Sequence, residues 1–343
     1  MNLACVTFTQ RGIALAKRLQ SEFQGTVALY TKQNYKAELP AIFQQYQGIV
    51  FIAATGIAVR LSAPFLQGKT RDPAIVVVDD LGRYAISLVS GHVGGANALA
   101  REIAAILECQ PVITTASDGR GFEAVDLFAK HHELVVENWQ DVKTLTAMMV
   151  EEQPIRLISE IEAVIQYQHL VEENPAGCLY VTSQEPMICD VPHCVLRPKN
   201  LSVGLGCRKG KTAQEIFQAL TTVFRQHRLS LNSIWTIATI TLKQDEPGIR
   251  EVCRELGIEL SVFTQEQIQR IEHQFAGSQF VKATVGVASV CEPCAVLAGG
   301  DLIVEKTAIN GVTIAVAKRK VTPQTDARNV NSAGVRTSVR CER

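Results

Sequence analysis

Several things are missing from this chain, and each absence narrows what it does. No apolar run in its 343 residues approaches the ~18 that a membrane helix needs, which argues against a spanning segment. Net charge is missing as well. Lys and Arg number 34 and so do Asp and Glu, so neither nucleic acid nor a membrane surface is an expected partner. Any anion must be recognised locally. The opening residues Met1 to Phe8 have no basic stretch ahead of an apolar one, and they read as a first strand, not a signal peptide. The expected compartment is the cytoplasm. There the 10 scattered cysteines serve as small buried hydrophobes and not as a disulfide framework.

Common catalytic signatures are incomplete. Gly204-Leu205-Gly206 follows an apolar run, but the third glycine of a dinucleotide fingerprint falls at Gly210. Thr241 stands after the next strand, where a ribose contact needs an acid. Gly210-Lys211-Thr212 imitates a P-loop, yet Leu205 occupies that motif's first glycine position. Leu88 stands where a Gly-x-Ser-x-Gly elbow around Ser90 needs glycine, which argues against a serine hydrolase. Cys291-Glu292-Pro293-Cys294 lacks a second ligand pair at zinc spacing, and its place in the chain does not suit a thioredoxin-like role.

What is present is an alternation of strands and helices. Leu3–Phe8, Arg11–Phe23 and Thr26–Tyr30 read as βαβ, and the nearly all-apolar Gly48–Ala53 as a strand buried on both faces. Ala74–Val78 and Tyr84–Leu88 flank a hairpin turn at Asp79-Asp80-Leu81-Gly82-Arg83. Ala96–Leu107 is helical, and Val112–Thr115 reads as a short strand. From Phe122 to Lys199 prolines punctuate a weaker pattern that ends in a linker near Pro192–Asn200. Leu201-Ser202-Val203 opens a second unit, with Gly204 to Gly210 as a tight turn and Thr212 capping the helix Ala213–Arg225. Ser233–Thr239, Pro247–Leu256, Glu259–Phe263 and Val290–Ala298 follow, and Asn310-Gly311 marks a hairpin. The fold class is α/β: two α/β domains with mostly parallel sheets, over residues 1–130 and 201–321, joined by a less regular middle region over 131–200. Residues 322–343 are polar, without periodicity, and are expected to be a disordered tail.

Three polar turns carry the candidate chemistry. They are Ala54-Thr55-Gly56-Ile57-Ala58-Val59-Arg60, the run Ser90-Gly91-His92-Val93-Gly94-Gly95-Ala96-Asn97, and Thr114-Thr115-Ala116-Ser117-Asp118. Each follows a β-like run, which is how an α/β sheet builds a ligand site at its strand ends. Helix starts there offer free N–H groups to anions. His92, flanked by glycines and titrating near neutrality, is the histidine singled out. Asp79 and Asp80 suit acid or base work, and a plain turn explains them nearly as well. Arg208, Lys209 and Lys211 beside a helix start form either a carboxylate site or a solvated basic turn. Glu292, at the start of a small-residue helix, is either functional or a helix cap.

These segments resemble a known family. Asp72-Pro73-Ala74 through Gly82, Ser87 through Asn97, Gly204 through Gly210, Ala288 through Pro293 and Gly311 through Ala317 continue the likeness over about residues 1–320. The long Ser-Gly-His-x-Gly-Gly-Ala-Asn match is the most specific part. The family is cobalt-precorrin-5A hydrolase, of the anaerobic branch of cobalamin biosynthesis. Residues from 201 onward alone also resemble a stand-alone protein of the aerobic branch. Cys294 and Glu305 depart from the family pattern.

The resemblance implies an enzyme that opens the ring A δ-lactone of a cobalt-corrinoid and releases acetaldehyde. Cobalt then belongs to the substrate, with no metal or organic cofactor held by the protein. Neighbouring pathway enzymes are expected as transient contacts, and a homodimer is an open alternative. Lactone opening needs a base and oxyanion donors. His92 is the expected base, with Asp79 or Asp118 orienting it or replacing it, and Gly94 and Gly95 N–H groups as donors. A large disc bearing carboxylates needs many donors. The substrate-binding set is Thr55, Gly56, Arg60, Ser90, Gly91, Gly94, Gly95 and Asn97, with Thr114, Thr115, Gly204, Gly206, Arg208 and Glu292. The competing reading is a tetrapyrrole carrier that binds without chemistry. A nicotinamide oxidoreductase is a third, weakened by the broken fingerprint.

Overall fold

Thr9 starts the first crossover. Its side chain accepts from Gly12 N–H and so caps α1 (Gln10–Glu22), which follows β1 (Asn2–Thr7). The chain continues through β2 (Thr26–Tyr30), α2 (Tyr35–Gln45), β3 (Gly48–Ile52), α3 (Thr55–Ser62) and β4 (Ala74–Val78). These four strands pair in parallel. Then the direction reverses. Asp79 accepts from Arg83 N–H at 2.7 Å and Tyr84 N–H at 2.8 Å, closing a hairpin that sends β5 (Tyr84–Val89) back antiparallel to β4. Helix α4 (Ala96–Leu107) leads to β6 (Gln110–Val112), parallel to β5. The strand order is β2-β1-β3-β4-β5-β6. Short helices α5 (Ala116–Arg120) and α6 (Val125–His131) follow.

Residues 1–68, 71–92, 94–186 and 190–320 are described in this computed structural model, in two compact units, Met1–Lys130 and His131–Arg343. The tail expected over 322–343 lies outside the described residues, as does Val93. Among the described residues no helix is long and apolar enough to cross a membrane.

The first unit has apolar residues on both faces of its sheet. Leu3, Cys5, Val50 and Val76 pack with Leu19 of α1 and Ile103 of α4. Ala4, Val6, Phe51 and Val77 face the other way, with Ile42 of α2 and Ala58 of α3. The two sets alternate along each strand because the strand repeat is two. Every residue of β3 is therefore buried, as its unbroken apolar run predicts. Each such Leu, Ile or Val contributes roughly 1.5–3 kcal/mol.

The second unit holds two sheets. The first is built from β7 (Val135–Val136), α7 (Trp139–Val150), β8 (Ile155–Ser159), β9 (Gly177–Val181) and β10 (His193–Arg197). Its order is β7-β10-β9-β8, with only β7 antiparallel. The stretch expected as a linker over Pro192–Asn200 is thus largely a strand. Cys194-Val195-Leu196 is too short an apolar run to be read as one between prolines, and pairing with β9 is what extends it.

The second sheet uses β11 (Leu201–Cys207), α8 (Ala213–Gln226), β12 (Ile234–Ile240), α9 (Pro247–Leu256) and β13 (Glu259–Phe263). After them come α10 (Gln265–Gln269), α11 (Gln279–Val285), α12 (Cys291–Ala298), β14 (Asp301–Ile309) and β15 (Val312–Lys318). The order is β13-β12-β11-β15-β14, with β15 antiparallel to both neighbours. Two expectations need correction. The short strand placed at Val112–Thr115 is β6 and ends at Val112. Gly204 and Gly206 lie inside β11 and not in a turn, paired to Ala315 and Thr313. A Cβ on Gly204 would lie 1.7 Å from the Cys291 carbonyl oxygen, so glycine there lets α12 press against the strand.

A buried charge ties the two sheets together. Arg197, 2% exposed, donates Nε and Nη2 to Glu137 at 2.8 and 3.1 Å. Glu137 also accepts from Ser230 and Asn232 near β12. Glu160 accepts from Asn200 at 2.8 Å and Lys318 at 2.9 Å.

Candidate functional site

Reversal of β5 splits the expected site in two. Strands β1, β3 and β4 deliver Thr9, Thr55, Gly56, Arg60 and Asp79 to one edge of the first unit's sheet, where Thr9 donates to Asp80. Strands β5 and β6 run the other way. They deliver Ser90, Gly91, His92, Thr114, Thr115 and Asp118 to the opposite edge, a strand length or roughly 15 Å away. Asp79 is therefore not placed to orient His92, and its carboxylate is committed to the hairpin. Burial raises the Asp79 carboxyl, but hydrogen bonds from Tyr84 and Arg83 outweigh this and hold it below its usual value.

The second edge gathers a connected cluster. His92 Nε2 lies 3.6 Å from Asp118 Oδ2, and Nδ1 lies 3.6 Å from Asp126 Oδ1 on α6. The ring is 20% exposed. Asp118 Oδ2 accepts from Thr115 Oγ1 at 2.6 Å and Asn97 Nδ2 at 2.8 Å, while Oδ1 pairs with Arg101. Asn97, buried in the first turn of α4, also donates to Thr115 Oγ1 at 3.0 Å and accepts from Ser87 at 2.7 Å. Burial raises the Asp118 carboxyl. The hydrogen bonds from Thr115 and Arg101, with the charges of Arg101 and His92, reverse that and keep it ionised. Asp126 behaves alike: burial raises it, and the His92 contact more than compensates.

The loop between β5 and α4 is tightly made. Ser90 has φ 61°, a left-handed conformation that costs a non-glycine residue roughly 1–2 kcal/mol. Its Oγ is buried with no hydrogen-bond partner among the described residues. Gly95, at φ 89°, occupies a conformation that favours glycine. Its N–H donates to the His92 carbonyl at 3.0 Å, so Gly95 is not the free oxyanion donor expected from the sequence. Ala96 and Asn97 N–H groups are likewise taken, by Ser90 and Gly91 carbonyls. Gly91 packs on Asn97 and Thr115, and Thr114 is exposed.

Four candidate residues belong to the second unit. Gly204 is buried under α12, and the Gly206 carbonyl accepts from Thr313 at 3.2 Å. The Arg208 side chain is exposed beside the Asn310-Gly311 turn. Glu292 is 5% exposed. It accepts from Ser289 Oγ and Lys306 N–H, so its oxygens serve the fold around α12. Burial pushes the Cys291 thiol up to about 11 and raises Cys294 as well, which leaves both protonated and unreactive. Among the described residues no group of three or more His, Cys, Asp or Glu is placed to hold a metal ion.

Asp126 and Arg101 were not singled out from sequence. Arg101 lies one turn beyond Asn97 on α4, a spacing that could have flagged it. Asp126 carries no local signal, since only the fold returns α6 to the His92 loop.

Three family descriptions match the chain in succession. They are cobalamin synthesis G N-terminal over residues 38–118, cobalamin biosynthesis central region over 123–198, and cobalamin synthesis G C-terminus over 201–317. The chain is 33% identical to a cobalt-precorrin-5A hydrolase of Priestia megaterium over 92% of this chain and 94% of that protein. It is 34% identical to a cobalt-precorrin-5A hydrolase of Salmonella typhimurium over 91% of this chain and 96% of that one. Among solved structures, CobE, a protein from the cobalamin biosynthetic pathway, is 29% identical, covering 35% of this chain and 91% of its own, with a TM-score of 0.33.

Proposed function

This chain belongs to the cobalt-precorrin-5A hydrolase family, and from that membership we propose that it opens the ring A δ-lactone of cobalt-precorrin-5A with release of acetaldehyde. The product is cobalt-precorrin-5B, on the route to cobalamin. The observation that carries this is identity of 33% and 34% running through more than nine-tenths of both partners. Cobalt enters with the substrate, and the protein contributes no cofactor of its own. The enzyme works in the cytoplasm, with transient hand-over to neighbouring pathway enzymes, and a homodimer is the oligomer to test.

The reaction starts when water attacks the lactone carbonyl carbon and gives a proton to His92. The acyl C–O bond breaks, leaving a carboxylic acid, which releases its proton to solvent, and an alkoxide on the two-carbon unit. That oxygen becomes the aldehyde oxygen as the carbon–carbon bond to the macrocycle breaks. The bonding pair stays on the macrocycle, which takes the proton back from His92. One water is consumed and one acetaldehyde leaves.

Two features of the second edge support His92 as the base. It is partly exposed, and its Nε2 faces an ionised carboxylate that stabilises the ring once protonated. Gly94 is the remaining oxyanion donor of the expected pair. Arg208 is a fitting clamp for a peripheral carboxylate, since guanidinium pairs with it bidentately. Thr55, Gly56 and Arg60 stand at the other edge, apart from the His92 cluster.

The test is anaerobic incubation with the cobalt-corrinoid lactone, following acetaldehyde and product mass. Release is expected from the wild type. His92→Ala should lose about 10²–10⁴-fold in kcat, the range of a general base. Asp79→Ala, altered at the far edge, should keep its turnover once folded. Tight binding of the corrinoid without acetaldehyde would instead establish a carrier.

A further inference from the structure

We propose that Asp126 is the positioning residue of His92: it accepts from Nδ1–H and so leaves the Nε2 lone pair as the base. This rests on His92 being the base.

The two carboxylates beside the ring are not equivalent. Asp118 Oδ2 already accepts from Thr115 Oγ1 at 2.6 Å and from Asn97 Nδ2 at 2.8 Å. An ionised carboxylate oxygen has about two lone-pair sites. Both are engaged by other donors, so Asp118 acts on Nε2 through its charge. The Asp126 carboxylate accepts from two backbone N–H groups, those of Leu127 (2.9 Å to Oδ1) and of Asp126 itself, and its one side-chain donor among the described residues is His92. Its Oδ1 faces Nδ1, and against burial, which raises the Asp126 carboxyl, the hydrogen bond from His92 is the largest of the contacts that hold it down.

This asymmetry decides the tautomer. A neutral imidazole carries one N–H and one lone pair, and the better acceptor draws the N–H. Nδ1–H therefore turns towards Asp126, and Nε2 keeps its lone pair. When Nε2 takes the proton of water, the new positive charge forms beside Asp118. Asp118 in turn is anchored by Asn97 and Arg101 on α4 and by Thr115. Lys130 also comes near the loop, its Nζ 3.9 Å from where a side chain on Gly95 would begin. Asp126 needs no contact with substrate. It sits one helix away, on α6, and acts only through the ring.

Asparagine at 126 tests this directly, because its amide can donate to Nδ1 and invert the tautomer. Asp126→Asn should lower kcat by about 10²–10⁴-fold, as in other carboxylate–histidine pairs, with KM nearly unchanged. Histidine-selective 15N NMR of the resting protein should show Nδ1–H for His92 in the wild type and Nε2–H in Asp126→Asn. Asp126→Glu, which keeps the acceptor, should recover part of the rate. A merely structural aspartate would move neither the tautomer nor the KM-against-kcat split. Nε2–H in the wild type would overturn the proposal without substrate. So would an inactive His92→Ala beside an Asp126→Asn protein of normal kcat, and His92 would then stand as base. Normal turnover by His92→Ala would overturn both.

Discussion

Asn97 is the residue on which the second edge depends, and truncating it has a calculable cost. Asn97→Ala removes the bond from Ser87, the bond to Thr115 and the bond to ionised Asp118. Neutral hydrogen bonds contribute about 1 kcal/mol each, and one to a charged group about 1.5–3. Alanine returns roughly 0.5 kcal/mol through its better helix propensity. The balance is a loss of roughly 3 kcal/mol, since Asn97 is 4% exposed and water does not readily replace its partners. For a unit of this size that corresponds to roughly 10 °C in midpoint. Both tryptophans, Trp139 and Trp235, lie in the second unit, so their fluorescence does not report on α4. Hydrogen exchange read by peptide mass spectrometry does. Peptides from α4 and α5 should lose protection by about 10²-fold, the equivalent of that free energy. Wild-type protection in Asn97→Ala would refute the account of Asn97 as the anchor of Asp118.

Two further outcomes follow from other parts of the molecule. Gly204→Ala should destabilise the second unit by about 1–3 kcal/mol, because the new methyl meets the Cys291 carbonyl and Ala295 N. Trp235 on the adjacent strand reports it, and an unchanged midpoint would return Gly204 to a ligand-facing role. Stability should also fall in acid. Asp118, Asp126, Glu137 and Glu160 all have folded-state values below their ordinary ones. Their contributions are complete above the unfolded values, about 3.9 for Asp and 4.3 for Glu, and are lost as pH falls through the lower folded values. Urea midpoints constant from pH 6 to pH 3 would contradict this, and Glu160→Gln should flatten its share of the decline.

Elements with their own punctuation were legible along the chain. Pro247 at the start and left-handed Gly257 at the end bound α9, and its expected span is the observed one. Asn310 and Gly311, both at positive φ, form the turn that their dipeptide announces. Where a local cue is ambiguous, sequence and structure differ. Gly204 marks a strand pressed by a helix, not a turn, because glycine serves close approach as well as tight bends. The strand at His193–Arg197 was hidden because a five-residue run has little periodicity of its own.

Residue order alone therefore determined the α/β class, helices α1, α4, α8, α9 and α12, and the family, all carried by local pattern or by contiguous motifs. It also marked out His92 and Asp118. Only the tertiary structure decided which of the polar turns meet. That depends on the hairpin at Asp79–Arg83, which reverses β5 and β6 and sends Thr55 and His92 to opposite edges of one sheet. It depends too on the return of α6, which brings Asp126 to a ring 34 positions earlier in the chain, as 126 minus 92 gives. Strand direction and long-range return are properties of pairing between distant segments, and no window along the chain contains both partners.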